Sequence, residues 1–208
     1  MSRSGEAERW VIATGNRGKL DELRALLTPF AIEPVPQGDF GIAAVPETGQ
    51  TFVENALLKA RHAAAVSGLP ALADDSGLCV DALGGAPGLR SARFAGESAT
   101  DADNVALLLE RLAGVPADGR SAHFVCVIVV LQHALDPDPQ IAVGRWHGTL
   151  AMQPAGDGGF GYDPVFVDPA SGLTAAALAP AAKHRLSHRG QALRMLSSRW
   201  QDSLRNGA

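Results

Sequence analysis

One segment narrows the possible folds more than any other: the unbroken apolar run Phe124-Val-Cys-Val-Ile-Val-Val-Leu131. It is far too short to span a membrane, and it lacks the polar alternation of a half-exposed strand. A strand like this must be covered on both faces, so it belongs inside a sheet flanked by helices. Trp10 to Ala13, Ile32 to Pro36, Pro70 to Ala73, Leu78 to Leu83, Ile141 to Leu150 and Val165 to Val167 read as further strands. Leu20, Leu23, Leu26 and Leu27 line one face of a helix closed by Pro29. The capping box Thr51-Phe-Val-Glu54 starts a second helix, with Ala56, Leu57, Ala60 and Ala64 inward as far as Gly68. Thr100-Asp-Ala-Asp103 caps a third, carrying Val105, Leu108, Leu109 and Leu112, and Gln191 to Leu204 forms the last. Strands and helices alternate throughout, which gives an α/β class with a mixed sheet. With 208 residues and no linker or repeat, residues 1–208 read as a single domain.

Charge and cysteine content exclude several functions. The net charge of −4 argues against a nucleic-acid or anionic-membrane partner, but a small phosphate ligand needs only a few well-placed cations. Cys79 and Cys126 form no C-x-x-C pair and read as reduced thiols. The polar N-terminus and the absence of a long apolar run lead us to expect a cytoplasmic protein. Among 18 basic residues only Lys19, Lys59 and Lys183 are lysine, so those positions hint at a need for a compact ammonium.

Five clusters can carry chemistry. Thr14-Gly-Asn-Arg-Gly-Lys19 joins a strand to a helix, where free N–H groups suit an anion. It is not a Walker loop, because Ala13 and Leu20 stand where that pattern has Gly and Ser or Thr. Asp74-Asp75-Ser76-Gly77 sets two carboxylates at a buried strand end, and Mg²⁺ with phosphates would relieve their repulsion. They would point to opposite sides unless the chain turned at Gly77. Glu47-Thr-Gly49 precedes the helix carrying Lys59, which can reach the aspartate pair. In Gly158-Gly-Phe-Gly-Tyr-Asp-Pro164, the aromatic Phe160 between glycines offers its faces to a flat partner such as a base. Ser187 reads as an N-cap with His188 and Arg189 in the first turn, where cations oppose the helix dipole and call for an anionic or carbonyl-rich neighbour. Taken alone, each cluster also reads as a plain turn, a solvated charge or, for Phe160, a core aromatic.

In order along the chain, these clusters resemble the inosine triphosphate pyrophosphatase family, enzymes that clear non-standard purine nucleoside triphosphates. The resemblance also takes in Thr51-Phe-x-Glu54-Asn55-Ala56-x-x-Lys59-Ala60 and Ser91-Ala-Arg93. It implies an elongated mixed sheet with flanking helices, forming two lobes around a central substrate cleft, and a homodimer. It implies cleavage of dITP, ITP or XTP between the α and β phosphates. Thr14, Gly15, Asn16, Arg17, Gly18 and Lys19 would then hold the triphosphate, with the Lys19 side chain facing solvent in the absence of ligand. Asp75 would be the metal-linked base, Glu47 a metal ligand for Mg²⁺ and Asp74 its close support. Lys59 would neutralise charge and Ser76 would touch the substrate. Phe160 would stack on the base beside Gly161, Tyr162 and Asp163, while Lys183, His188 and Arg189 would read base and sugar. Ala181 and Ala182 depart from the acidic residues of many relatives, and Tyr162 stands where some have Trp. The rival readings are a Maf-type pyrophosphatase and a non-hydrolytic purine nucleotide sensor.

Overall fold

The computed structural model describes residues 7–15, 19–20, 23–24 and 27–206. Six strands, β1 (Glu8–Ile12), β2 (Ile32–Pro36), β3 (Ala71–Val80), β4 (Ser121–Leu131), β5 (Gln140–Leu150) and β6 (Phe166–Val167), form one sheet in the order β2-β1-β3-β4-β5-β6. β1 runs parallel to β2 and to β3, while β5 and β6 are antiparallel, so the sheet is mixed as expected. The apolar run lies in β4, an internal strand whose residues from Phe124 to Leu131 are all buried. The named helices are α1 (Phe52–Ser67), α2 (Asp101–Arg111), α3 (Pro180–Leu186) and α4 (His188–Asn206). Lys19, Leu20, Leu23, Arg24 and Leu27 are helical too.

The observed elements differ from the expected ones in three places. The segments Pro70 to Ala73 and Leu78 to Leu83 are not two strands: β3 passes through Asp74, Asp75, Ser76 and Gly77 and stops at Val80, where a 3-10 turn (Asp81–Leu83) begins. Asp and Gly disfavour strands, so local preference breaks this one in the wrong place. The final helix starts at His188, where the Ser187 cap places it, three residues before the apolar stretch that begins at Gln191. Helix α3, with Pro180 in its first turn, was not anticipated.

The chain divides into two compact units: Met1–Asp75, Val127–Val143 and Ala192–Ala208 form one, Ser76–Cys126 and Gly144–Gln191 the other. In the first unit, the alanine stripe of α1 (Ala56, Ala60, Ala63, Ala64) is buried, as are Val11, Ile12, Leu23, Leu27 and Leu72. Small side chains let helix and sheet backbones approach closely. Trp200 on α4 meets Trp10 edge-on at 5.5 Å and Phe30 at 5.1 Å, and its indole donates to Gln140 Oε1 at 2.7 Å.

In the second unit, Leu78, Val80, Leu108, Leu112, Phe124, Trp146, Tyr162 and Phe166 share one apolar cluster. Phe166 sits 4.6 Å from Phe124 and 4.9 Å from Trp146, ring centre to ring centre. Both cysteines are free thiols, Cys126 buried and Cys79 partly so. Among the described residues, no helix is long and apolar enough to cross a membrane.

Arg120 lies fully inside the second unit, at 1% exposure. Its guanidinium donates to three backbone carbonyls: Nε to Val115 at 3.0 Å, Nη1 to Ala151 at 3.3 Å and Nη2 to Leu112 at 2.7 Å. It thereby fastens the end of α2 to the segment after β5. Arg120→Met would leave these buried acceptors short of donors, at a cost of about 3 kcal/mol or more. For a chain of this size that is a drop in Tm of roughly 6–12 °C by calorimetry. Arg120→Lys should recover little of it, because an ammonium cannot span the three acceptors.

Candidate active site

Extended backbone sends successive side chains to opposite faces, and β3 does so through its aspartates. Asp74 is fully buried and pairs with Lys19 Nζ at 2.8 Å. Asp75 turns the other way, where Lys59 Nζ lies 2.9 Å from its Oδ1 and Asn55 Nδ2 lies 3.3 Å from its Oδ2. Lys59 also donates to Glu47 Oε1 at 2.9 Å, so one ammonium joins two carboxylates. Burial pushes the Asp75 carboxyl above its ordinary value, against the pull of Lys59. Burial opposes charge on Lys59 as well, yet Asp75, Asp74 and Glu47 together outweigh it and raise its pKa.

Local sequence explains how these groups meet. Thr51 caps α1: its Oγ1 accepts from Glu54 N at 3.2 Å while Glu54 Oε2 accepts from Thr51 N at 2.8 Å. Asn55, at 1% exposure, comes one helical turn before Lys59 and shares its face. Its Oδ1 accepts from Gly49 N at 2.8 Å, which draws the Glu47 loop onto the helix start. A Cβ on Gly49 would lie 2.6 Å from Glu54 Cβ and 2.7 Å from Asn55 Oδ1, so only glycine fits that approach.

The second unit holds another cluster. Phe160 is 39% exposed between Gly159 and Gly161, whose φ angles of +75° and +60° disfavour any side chain. Its ring centre lies 5.2 Å from Lys183 Nζ and 5.8 Å from Arg189 Cζ, close enough for cation–π attraction. Lys183 is paired with Asp163, and Asp163 Oδ2 accepts from Phe160 N at 2.8 Å. Ser187 caps α4 through Gly190 N at 3.1 Å, as expected. His188 stacks on Phe124 at 4.7 Å, and buried Arg189 reaches Ser76 Oγ at 3.4 Å. Tyr162 is buried in the apolar cluster with its hydroxyl donating to Ser91 O at 2.8 Å, and burial pushes its phenol pKa well up.

Two sets of expected residues are thus assembled: Lys19, Glu47, Lys59, Asp74 and Asp75 in the first unit, and Ser76, Phe160, Gly161, Tyr162, Asp163, Lys183, His188 and Arg189 in the second. Thr14 and Gly15 follow β1, and no atom of the described residues lies within 4 Å of where a Cβ on Gly15 would sit, while Asn16, Arg17 and Gly18 lie outside the described residues. Lys19 does not face solvent as expected: its side chain is 16% exposed and held by Asp74. Among the described residues, no three His, Cys, Asp or Glu side chains gather as a metal cage. Glu47 and Asp75 do converge, but on the Lys59 ammonium, 2.9 Å from an oxygen of each; their hard oxygen donors are of the kind a magnesium-like cation takes. Asn55 was given no role by the sequence reading. The available signal was a lone amide among the apolar positions of α1, one turn before Lys59.

A profile described as the Ham1 family matches residues 10–199. The chain belongs to the Ham1 family. Its relatives include the dITP/XTP pyrophosphatase of Shigella flexneri, 56% identical over 200 residues that cover 96% of this chain and 100% of that one. The dITP/XTP pyrophosphatase of Xanthomonas oryzae pv. oryzae is 61% identical over 186 residues, covering 89% of this chain and 94% of the relative. Among solved structures, a HAM1 protein from Coxiella burnetii superposes with a TM-score of 0.89 at 48% identity, covering 94% of this chain and 99% of that one. The Ham1 protein of Staphylococcus aureus gives 0.85 at 36%, covering 94% and 100%. The α/β fold and the family read from short motifs in order along the chain are therefore borne out.

Two substitutions test this geometry. Gly49→Ala should displace the Glu47 loop and cost roughly 1–3 kcal/mol, as overpacking does, read as a lower Tm. Gly49 needs no left-handed φ, so the loss would report the steric contact alone. Lys19→Arg should lower both Tm and turnover, because a planar fork cannot take the place of a compact ammonium against buried Asp74. An unchanged Tm would show that the pair tolerates either cation.

Proposed function

We infer that this Ham1-family chain hydrolyses non-standard purine nucleoside triphosphates, dITP, ITP and XTP, to the monophosphate and pyrophosphate. The observation that carries the reading is likeness over nearly the whole chain to proteins named dITP/XTP pyrophosphatase. Neither a Maf-type pyrophosphatase nor a nucleotide sensor is favoured by those names.

The residues supply the means. Thr14 to Lys19 receives the triphosphate, with Lys19 and Lys59 balancing its charge. Asp75 takes the proton from the attacking water, and a carboxyl whose basicity is raised by burial suits that task. Lys59 and Asn55 fix the Asp75 oxygens so that the base is aimed before substrate arrives. Mg²⁺, held by Glu47 and Asp75 with Asp74 behind them, would offset charge on the phosphate oxygens when bound. Phe160 stacks on the purine, flanked by Gly161, Tyr162 and Asp163. Lys183, His188 and Arg189 present donors to the 6-carbonyl of hypoxanthine or xanthine, and Ser76 touches the substrate. Adenine carries an amino group there, which would set donor against donor and leave buried groups unpaired. A cytoplasmic homodimer with no nucleic-acid or membrane partner completes the proposal, and the net charge of −4 supports its last part.

Pyrophosphate release from dITP and XTP with Mg²⁺, set against dATP and dTTP, tests the activity; orthophosphate as the first product would overturn it. Asp75→Asn should lower turnover of dITP by ~100-fold or more, the scale of a lost general base. Because the folded state raises the Asp75 pKa, the ionised carboxylate at neutral pH is less favourable there than in water, and stability from this group falls as pH rises through its folded value. The amide should therefore leave Tm in chelator no more than about 2–4 °C below wild type.

A further inference from the structure

Phe160 is an exposed aromatic at a glycine-flanked loop, and such a ring holds one orientation only if its backbone is held. Two consecutive amides are held, and by different carboxylates. Phe160 N donates to Asp163 Oδ2 at 2.8 Å, within the loop itself. Gly161 N donates to Asp101 Oδ2 at 2.6 Å, a bond that reaches 60 residues back in the chain to the first residue of α2. That helix start is itself fixed, since Thr100 and Asp103 form a capping box.

Between α2 and the loop lies a cavity of about 480 Å³ lined by Asp101, Val105, Leu109, Pro154, Phe160 and Pro164. Side-chain packing is therefore interrupted where α2 and the loop face each other, and the Asp101–Gly161 hydrogen bond spans that face. The ion pair of Asp163 with Lys183 holds the loop through a different helix, α3.

We propose that Asp101 is a positioning residue for base recognition: its carboxylate fixes the Gly161 amide and so the Phe160 ring against which the purine stacks. This rests on the function proposed above. Asp101 acts through the backbone of another residue and touches no reacting atom. Its role depends on an acceptor oxygen rather than on charge, so Asp101→Asn should preserve it and Asp101→Ala should remove it. Because Asp101 is exposed and Asp103 keeps the helix capped, both variants should fold.

Two readouts test the proposal. Hydrogen exchange of the 156–163 segment, measured without substrate, should be faster in Asp101→Ala and unchanged in Asp101→Asn. Equal protection in all three proteins would overturn the proposal whatever the enzyme's activity. In steady-state kinetics, Asp101→Ala should raise KM for dITP by ~10-fold, within the range for loss of a stacked base, with kcat little changed. In a Phe160→Ala background the same substitution should add nothing, since coupled residues are non-additive. A full additional loss in that background, or a fall in kcat at constant KM, would overturn the positioning role. Failure of the wild-type chain to cleave dITP would fall on the proposed function, and exchange protection would still decide whether Asp101 holds the loop.

Discussion

Consecutive side chains of an extended strand cannot face the same way, and the acidic part of this protein is organised around that constraint. At Asp74 and Asp75 it separates two carboxylates that would otherwise repel, and gives each its own lysine from a different helix. Asp74 becomes a fully buried group locked to Lys19, a contact that would be costly to break and so holds Lys19 against β3. Asp75 is left on the side of Lys59 and Glu47, where burial raises its basicity. An ion pair on a fully buried carboxylate and a second carboxylate of raised basicity thus arise from neighbouring residues because the strand does not turn.

The second unit solves a different problem, that of presenting an apolar ring to solvent without letting it collapse. Phe160 stays 39% exposed because glycines on both sides take left-handed backbone and carboxylates hold its amide and the next one. Cations gather at its face, Lys183 through its pair with Asp163 and Arg189 through the first turn of α4. Beneath them Tyr162 and Phe124 root the site in the apolar cluster. The unfavourable placement of His188 and Arg189 against the helix dipole is tolerated because each has other contacts: His188 stacks on Phe124, and Arg189 reaches Ser76 and Phe160.

Much of this was legible from residues alone. The apolar run from Phe124 to Leu131 required an internal strand, and β4 is internal. Thr51 with Glu54, Thr100 with Asp103 and Ser187 named three helix starts, because a cap is a local bond between residues three apart. The rarity of lysine singled out Lys19, Lys59 and Lys183, and all three sit in carboxylate pairs. What was misread shares one cause. Asp74 to Gly77 looks like a turn by local preference, yet it is strand, because partners far away in sequence neutralise its charges. Lys19 looked solvent-facing because its partner lies 55 positions further on, and Asn55 and Asp101 looked like ordinary helix residues because their bonds are to distant parts of the chain.

The sequence by itself determined the α/β class, the caps, the chemical types gathered at the site and the family, since these depend on periodicity, on near neighbours and on motif order. Only the tertiary structure decided which carboxylate meets which lysine, that β3 runs straight through its aspartates, and which of two neighbouring aromatics, Phe160 or Tyr162, is exposed. Those outcomes depend on desolvation and pairing between residues brought together by the whole sheet, and no window of local sequence contains both partners.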